Sequence, residues 1–187
     1  GAGNTAGTFG AGYDATLPSG ATWSPNVDPT VSSGNLSGAF QSPFNNTGLL
    51  ATQSYFSVGG GEGDNGTDES PVDLNFSEAQ NGFSILWGSI DSYNTLSFLD
   101  AMGDVMYAYT GTNIVNLGAL GGVAANFEQV ALLDFDFGAE SFWGVRFTST
   151  QAAFEFALPS EVPEPGMLAL LALGLIGVGV ARRRQAS

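Results

Sequence analysis

The sequence predicts an all-β fold, an antiparallel β-sandwich of jelly-roll-like kind, followed by one carboxyl-terminal transmembrane helix. Three observations predict it. Apolar side chains recur with period two from Val72 to Leu158, turn-forming residues separate these runs at near-regular spacing, and a fifteen-residue apolar run, Met167 to Ala181, precedes three arginines. Between Gly1 and Ser160 no long stretch carries the three-and-four spacing of an amphipathic helix.

Residues 1–35 are rich in Gly, Ser, Thr, Asn and Pro, with isolated apolar residues at Phe9, Tyr13, Leu17 and Trp23, and read as an extended arm or edge strand. The sandwich is placed at residues 36–158. Within it, residues 59–70, GGGEGDNGTDES, contain no apolar residue and are a surface loop between a strand ending near Val58 and one starting at Val72. In Val72-Asp73-Leu74-Asn75-Phe76 apolar and polar residues alternate strictly, and Phe83, Ile85 and Trp87 share one face of the next strand. Strands follow at 95–99, 105–109, 127–133, 141–147 and 153–158, each rich in aromatic or branched side chains. Turns are assigned to Asp91-Ser92-Tyr93-Asn94, Met102-Gly103-Asp104, Gly111-Thr112-Asn113 and Phe137-Gly138. With 14 Phe, 3 Trp and 5 Tyr, mostly in these strands, packing carries the stability.

Charge and composition exclude whole classes of function. The 187 residues carry 18 acidic against 4 basic residues, a formal net charge of −14. All four cations are arginines, and Arg146 is the single one before residue 161, so nucleic-acid binding lacks the charge it needs. The chain has no His and no Cys, which removes Ser-His-Asp and Cys-His catalysis, disulfides and thiolate metal sites.

Residues 159–166 form a proline-stiffened hinge, and residues 167–184 a transmembrane helix ending in an arginine stop. At 1.5 Å per residue, fifteen helical residues reach roughly 22 Å, short of the roughly 30 Å hydrocarbon core, so Arg182, Arg183 and Arg184 snorkel and the span suits a thin membrane. By the positive-inside tendency these arginines stay cytoplasmic and everything before Pro163 is exported. Export implies an amino-terminal signal, and the small-residue start Gly1-Ala2-Gly3 is what its removal would leave.

Pro163-Glu164-Pro165, the short Leu-, Ala- and Gly-rich helix and the arginine cluster, in that order, resemble the PEP-CTERM sorting domain over residues 162–184. That resemblance implies an exported protein of a Gram-negative bacterium, associated with exopolysaccharide and biofilm matrix. It also implies processing by a membrane exosortase, and so an address rather than an activity. The body, from Trp87-Gly88-Ser89 through Asp91 to Tyr93-Asn94, is similar to a group of exosortase-dependent surface proteins with a WGS-D-YN-type segment, which adds no catalytic residues.

Carboxylates are the remaining chemistry. Glu62, Asp64, Asp68 and Glu69, with Asn65, share one Gly-rich loop that offers hard oxygen ligands for calcium but lacks EF-hand spacing, so a solvated acidic loop is the competing reading. Asp134 and Asp136 point to one side of an extended segment, as a calcium or acid-base pair would, and equally as turn-edge aspartates do. Trp87 and Trp143 sit inside strand patterns and are assigned to the core, leaving Tyr93 as the aromatic candidate for stacking on a sugar. The four Asn-x-Ser/Thr sequons, at Asn35, Asn45, Asn65 and Asn75, carry no weight in a bacterial protein. In the tail, Gly174, Gly177 and Ala181 offer small-residue helix packing, with Leu168, Leu171 and Leu175 toward lipid.

The expectation is a non-enzymatic protein with no catalytic residues and no cofactor beyond calcium. It is held in the inner membrane with its body on the periplasmic side, destined for the cell surface or extracellular matrix. Its partners are membrane lipid, an exosortase-type processing enzyme, and a polysaccharide or another membrane protein. The alternatives are an accessory subunit of a membrane complex or filament, docked through its uncleaved helix, and a carboxylate-only hydrolase.

Overall fold

Strict alternation turns every second side chain of a strand to one face, and two such faces close on each other when both are apolar. The computed structural model describes residues 12–25, 27–35, 41–44, 53–59, 70–121 and 130–160. In chain order the strands are β1 (Tyr13–Asp14), β2 (Ala21–Trp23), β3 (Thr30–Ser33), β4 (Ser54–Val58), β5 (Val72–Gln80), β6 (Gly82–Gly88), β7 (Asn94–Leu99) and β8 (Val105–Thr110). Helix α1 (Gly111–Gly121) follows, then β9 (Ala131–Asp136), β10 (Phe142–Ser149) and β11 (Phe154–Pro159).

Two antiparallel sheets result. One runs β3-β4-β11-β6-β9, with β1 pairing the end of β11 through Tyr13↔Pro159 and Asp14↔Leu158. The other runs β2-β5-β10-β7-β8. The chain crosses from one sheet to the other at every connection except β3 to β4 and β7 to β8, the step from β8 to β9 passing through α1. Residues 13–33 therefore supply edge strands to both sheets: β2 lies against β5, and β3 against β4.

The facing surfaces are Phe56, Ile85, Trp87, Phe154 and Phe156 from the first sheet and Leu74, Leu96, Phe98, Val145 and Phe147 from the second, all buried in one cluster. Phe147 and Phe156 stack across the interface with centroids 4.0 Å apart and planes 1° from parallel. Trp87 stacks on Phe154 at 4.4 Å, and Phe98 gathers Phe135, Phe137 and Phe142 within 5.0 Å. Offset and edge-on ring contacts of this kind contribute beyond simple area burial.

Three features depart from expectation. Gly111-Thr112-Asn113 opens α1 instead of a turn. Thr110 Oγ1 accepts the Asn113 N–H at 3.2 Å while Asn113 Oδ1 accepts the Thr110 N–H at 2.9 Å, a reciprocal cap written with Asn in place of Glu or Gln. Gly111 is needed there, because a Cβ would sit 2.0 Å from the Asp91 carbonyl oxygen. Trp143 is 39% exposed rather than core. Phe142 and Val145 are both buried although three residues apart, and the pairing register shifts between Phe142 and Gly144, which turns Trp143 outward. The strand expected at 127–133 is described from Ala131 onward, residues 122–129 lying outside the described residues.

Among the described residues no helix is long and apolar enough to cross a membrane. The span expected at residues 167–184 lies outside the described residues, as does most of the hinge before it.

Candidate functional site

The segment from Trp87 to Asn94 joins β6 to β7, and the side chains of Asp91, Tyr93 and Asn94 are all engaged within the protein. Asn94 is buried. Its Nδ2 donates to the Ala153 carbonyl at 3.0 Å and its Oδ1 accepts from Ser149 Oγ at 2.6 Å, which fastens this turn to the one between β10 and β11. The Tyr93 hydroxyl lies 2.8 Å from Asp91 Oδ2 and 2.9 Å from the Ala152 carbonyl oxygen. Burial, then the hydrogen bond and charge of Asp91, raise the Tyr93 pKa. Tyr93, the aromatic candidate for a ligand, thus has its hydroxyl engaged within the protein.

Beside this turn lies a group that alternation alone hides. Glu155 sits in β11 between Phe154 and Phe156 and points away from the shared core, yet it is only 2% exposed. Residues 41–44 cover it. Gln41 donates its backbone N–H to Glu155 Oε1 at 2.8 Å, Phe44 is buried with Tyr55, Leu86 and Ala157, and Pro43 lies on Gly88 so closely that a Cβ there would come within 2.8 Å of it. Among the described residues Glu155 Oε2 has no hydrogen-bond partner, and neither has Ser57 Oγ directly across on β4. Burial dominates the Glu155 carboxyl and, helped by nearby Asp91, outweighs the Gln41 hydrogen bond, so its pKa is pushed up to about 8. Asp91 is itself raised by burial, against the hydrogen bond from Tyr93. Glu155 is therefore a neutral acid at neutral pH.

A second feature is open to solvent. Where the corner between β5 and β6 meets β9 and the end of β11, Phe76, Phe83, Phe135, Pro18 and Pro159 line a cavity of about 330 Å³ whose polar rim includes Gln80 and Ser84. Mostly apolar walls with a few placed amide and hydroxyl groups are the usual make-up of small-ligand pockets. Ser84 Oγ donates to Asp134 Oδ1 beside this rim. Asp134 and Asp136 are both exposed and serve different ends: Asp136 Oδ1 accepts the Gly138 N–H at 2.9 Å and closes the next turn.

The calcium candidates Glu62, Asp64, Asp68 and Glu69 lie outside the described residues. So do Pro163, Glu164 and Pro165, the arginines 182–184, and Gly174, Gly177 and Ala181. Among the described residues no three acidic side chains converge to hold a metal ion. Sequence reasoning missed Glu155 and the cavity. Glu155 reads as an ordinary outward residue of an alternating strand, and only the contact of residues 41–44, over a hundred positions away, marks it as buried.

The body ends with β11 at Pro159 and the chain continues into the tail. Residues 161–185 match the PEP-CTERM protein-sorting motif. A chain with this motif is an exported protein sorted through its carboxyl-terminal segment toward the cell surface, and its processing partner is of the exosortase type. No curated protein and no solved structure matches the chain.

Proposed function

We propose that this is a non-enzymatic bacterial surface or matrix protein whose sandwich binds a neutral polysaccharide and whose tail is a membrane-spanning sorting address. The observation that carries the reading is the PEP-CTERM match at residues 161–185, directly after the last strand of an all-β body. In this proposal the tail crosses the inner membrane of a Gram-negative cell with the body on the periplasmic side until exosortase acts. The order β4-β11-β6-β9 over β5-β10-β7-β8 is that of a jelly roll, an architecture shared with lectin domains, which supports the binding half by analogy only.

The aromatic cavity is the favoured binding site. Phenyl rings offer flat apolar faces to a pyranose, while Gln80 and Ser84 offer hydrogen bonds to its hydroxyls. With a net charge of −14 and one basic residue before position 161, the body repels anionic glycans, which favours neutral ones. A hydrolytic role is disfavoured because Asp91 and Glu155, the acidic pair that burial most perturbs, lie with Glu155 sealed beneath residues 41–44, away from this cavity.

Affinity electrophoresis through gels containing neutral or acidic polysaccharides tests the binding half. Retardation is expected in a neutral polysaccharide, lost in Phe135→Ala and kept in Tyr93→Phe. Equal mobility in every gel rejects it. Protease added to spheroplasts should remove the body, and intact mass of the native protein reports whether the tail remains; a protected body rejects the topology.

A further inference from the structure

We propose that residues 41–44 are a strap held on the outer face of β4, β11 and β6 by the protonated carboxyl of Glu155, and that loss of this one proton to solvent releases the strap. The geometry carries the proposal. The described contacts that hold the strap include the Ser42 N–H on Asn35 Oδ1 at 2.7 Å, Pro43 on Gly88, the Phe44 ring among Tyr55, Leu86 and Ala157, and the Gln41 N–H on Glu155 Oε1. The first three involve no titratable group and are indifferent to pH. The last rests on a carboxyl that is 2% exposed.

The groups facing Glu155 decide what ionisation would do. From β4 come Tyr55 and Ser57, from the β6–β7 turn Asp91 and Tyr93, from β6 Gly88, and from the strap the backbone of Gln41. Tyr55 donates its hydroxyl to the Gly34 carbonyl at 2.7 Å, and the Tyr93 hydroxyl lies against Asp91 and Ala152, so neither is directed at Oε2. No cation faces the carboxyl among the described residues, where the one ion pair, Arg146 with Asp73, belongs to the other sheet. A carboxylate here would hold one backbone N–H, keep Oε2 without a partner, and share the enclosure with Asp91. A buried charge without a counterion is strongly unfavourable, and the strap is the element whose departure admits water. With the pKa pushed up to about 8 by burial, the hold on the strap weakens as pH rises toward that value and levels off above it. The strap is then a proton-controlled cover that lays Phe44 over Tyr55, Leu86 and Ala157, and its opening uncovers an apolar sheet face.

Hydrogen exchange read by mass spectrometry on the full chain in neutral detergent, at pH 6 and pH 8.5 and corrected for the intrinsic rate, tests this. In the wild type, protection of a peptide covering residues 41–44 is expected to fall on the order of tenfold or more between the two, because closing is linked to one proton. Peptides from β7 and β10 should keep theirs. In Glu155→Gln the strap should be equally protected at both values. Unchanged protection in the wild type, the same loss in Glu155→Gln, or a uniform loss across both sheets overturns the proposal. Should Glu155→Gln fail to fold, Gln41→Pro keeps the acid and deletes its donor. It should leave the strap unprotected already at pH 6, and a strap still protected there overturns the proposal equally.

Discussion

β10 and β11 are the central strands of the two sheets, and each carries one charged side chain on its outer face. Arg146 on β10 pairs with Asp73 through two hydrogen bonds of 2.7 and 2.8 Å, and the two side chains are 32% and 20% exposed. Glu155 on β11 is 2% exposed, accepts the Gln41 N–H and has no counterion among the described residues. The local sequences are alike, Val145-Arg146-Phe147 and Phe154-Glu155-Phe156, apolar in and charged out. The difference lies in what covers each face. The second sheet leaves Arg146 partly exposed and paired, where its charge is inexpensive, while residues 41–44 close over Glu155 and make its charge costly.

The largest effect is expected where the two strands meet. Phe156→Ala removes the ring stacked on Phe147 and leaves a void between the sheets, destabilising the body by about 3–5 kcal/mol. Chemical denaturation would measure it. A loss below about 1 kcal/mol would mean that the sheets do not share one core, and the comparison between their outer faces would lose its frame.

The pH dependence is next. Glu155 titrates near 4.5 unfolded and near 8 folded, so between these values the unfolded chain binds fewer protons and stability falls as pH rises. The contribution is fully present below pH 4.5, is lost through pH 8, and then levels off, with a slope of at most about 1.4 kcal/mol per pH unit. Asp91, also raised by burial, acts in the same direction from its own lower range. Melting temperature should therefore decline from pH 5 to pH 8 in the wild type and flatten in Glu155→Gln. A wild-type melting temperature that rises over this interval contradicts the assignment.

Matched glycine substitutions sharpen the contrast. A Cβ at Gly88, on the covered face, meets Pro43 atoms at 2.8 and 2.9 Å, whereas at Gly144, on the open face, it meets Leu74, Asn75 and Leu99 atoms at 3.1 to 3.3 Å. Gly88→Ala should cost about 1–3 kcal/mol by displacing the strap, and Gly144→Ala about 1 kcal/mol, since its nearest atom, the Leu74 carbonyl oxygen at 3.1 Å, needs to give by only a few tenths of an ångström. Equal losses in thermal melts would show that the strap yields as readily as a surface side chain.

What the sequence could disclose follows the same division. Period two and turn chemistry are local, so most strands from Val72 onward and the turn at Met102-Gly103-Asp104 were legible, the latter closed by the Met102 N–H on Asp100 Oδ1 with Gly103 at φ 84. The sorting motif is linear and was legible whole. Helix α1 was not, because its cap uses Asn113 and only Ile114 of its described side chains is a deeply buried apolar one, too short a pattern to display a helical period. Glu155 and the aromatic cavity depend on contacts between distant segments: Gln41 with Glu155, and Pro18 with Phe76, Phe83 and Phe135. No local pattern contains them.

The smallest effect is expected at Arg146. An ion pair that keeps this much contact with water gains little in a high dielectric, is screened over about 10 Å at 0.1 M salt, and contributes about 1 kcal/mol. A double-mutant cycle of Arg146→Ala and Asp73→Ala should give a coupling of that size, shrinking as salt is raised. Its bidentate geometry supports that size, because the planar guanidinium loses little freedom when it docks on the Asp73 carboxylate. Two outcomes would break the comparison with Glu155. A coupling above about 2 kcal/mol would require a low local dielectric around Arg146, and a coupling indifferent to salt would require that ions cannot approach it. Either would mean that the outer face of the second sheet is covered too, and that the two central strands differ in pairing rather than in burial.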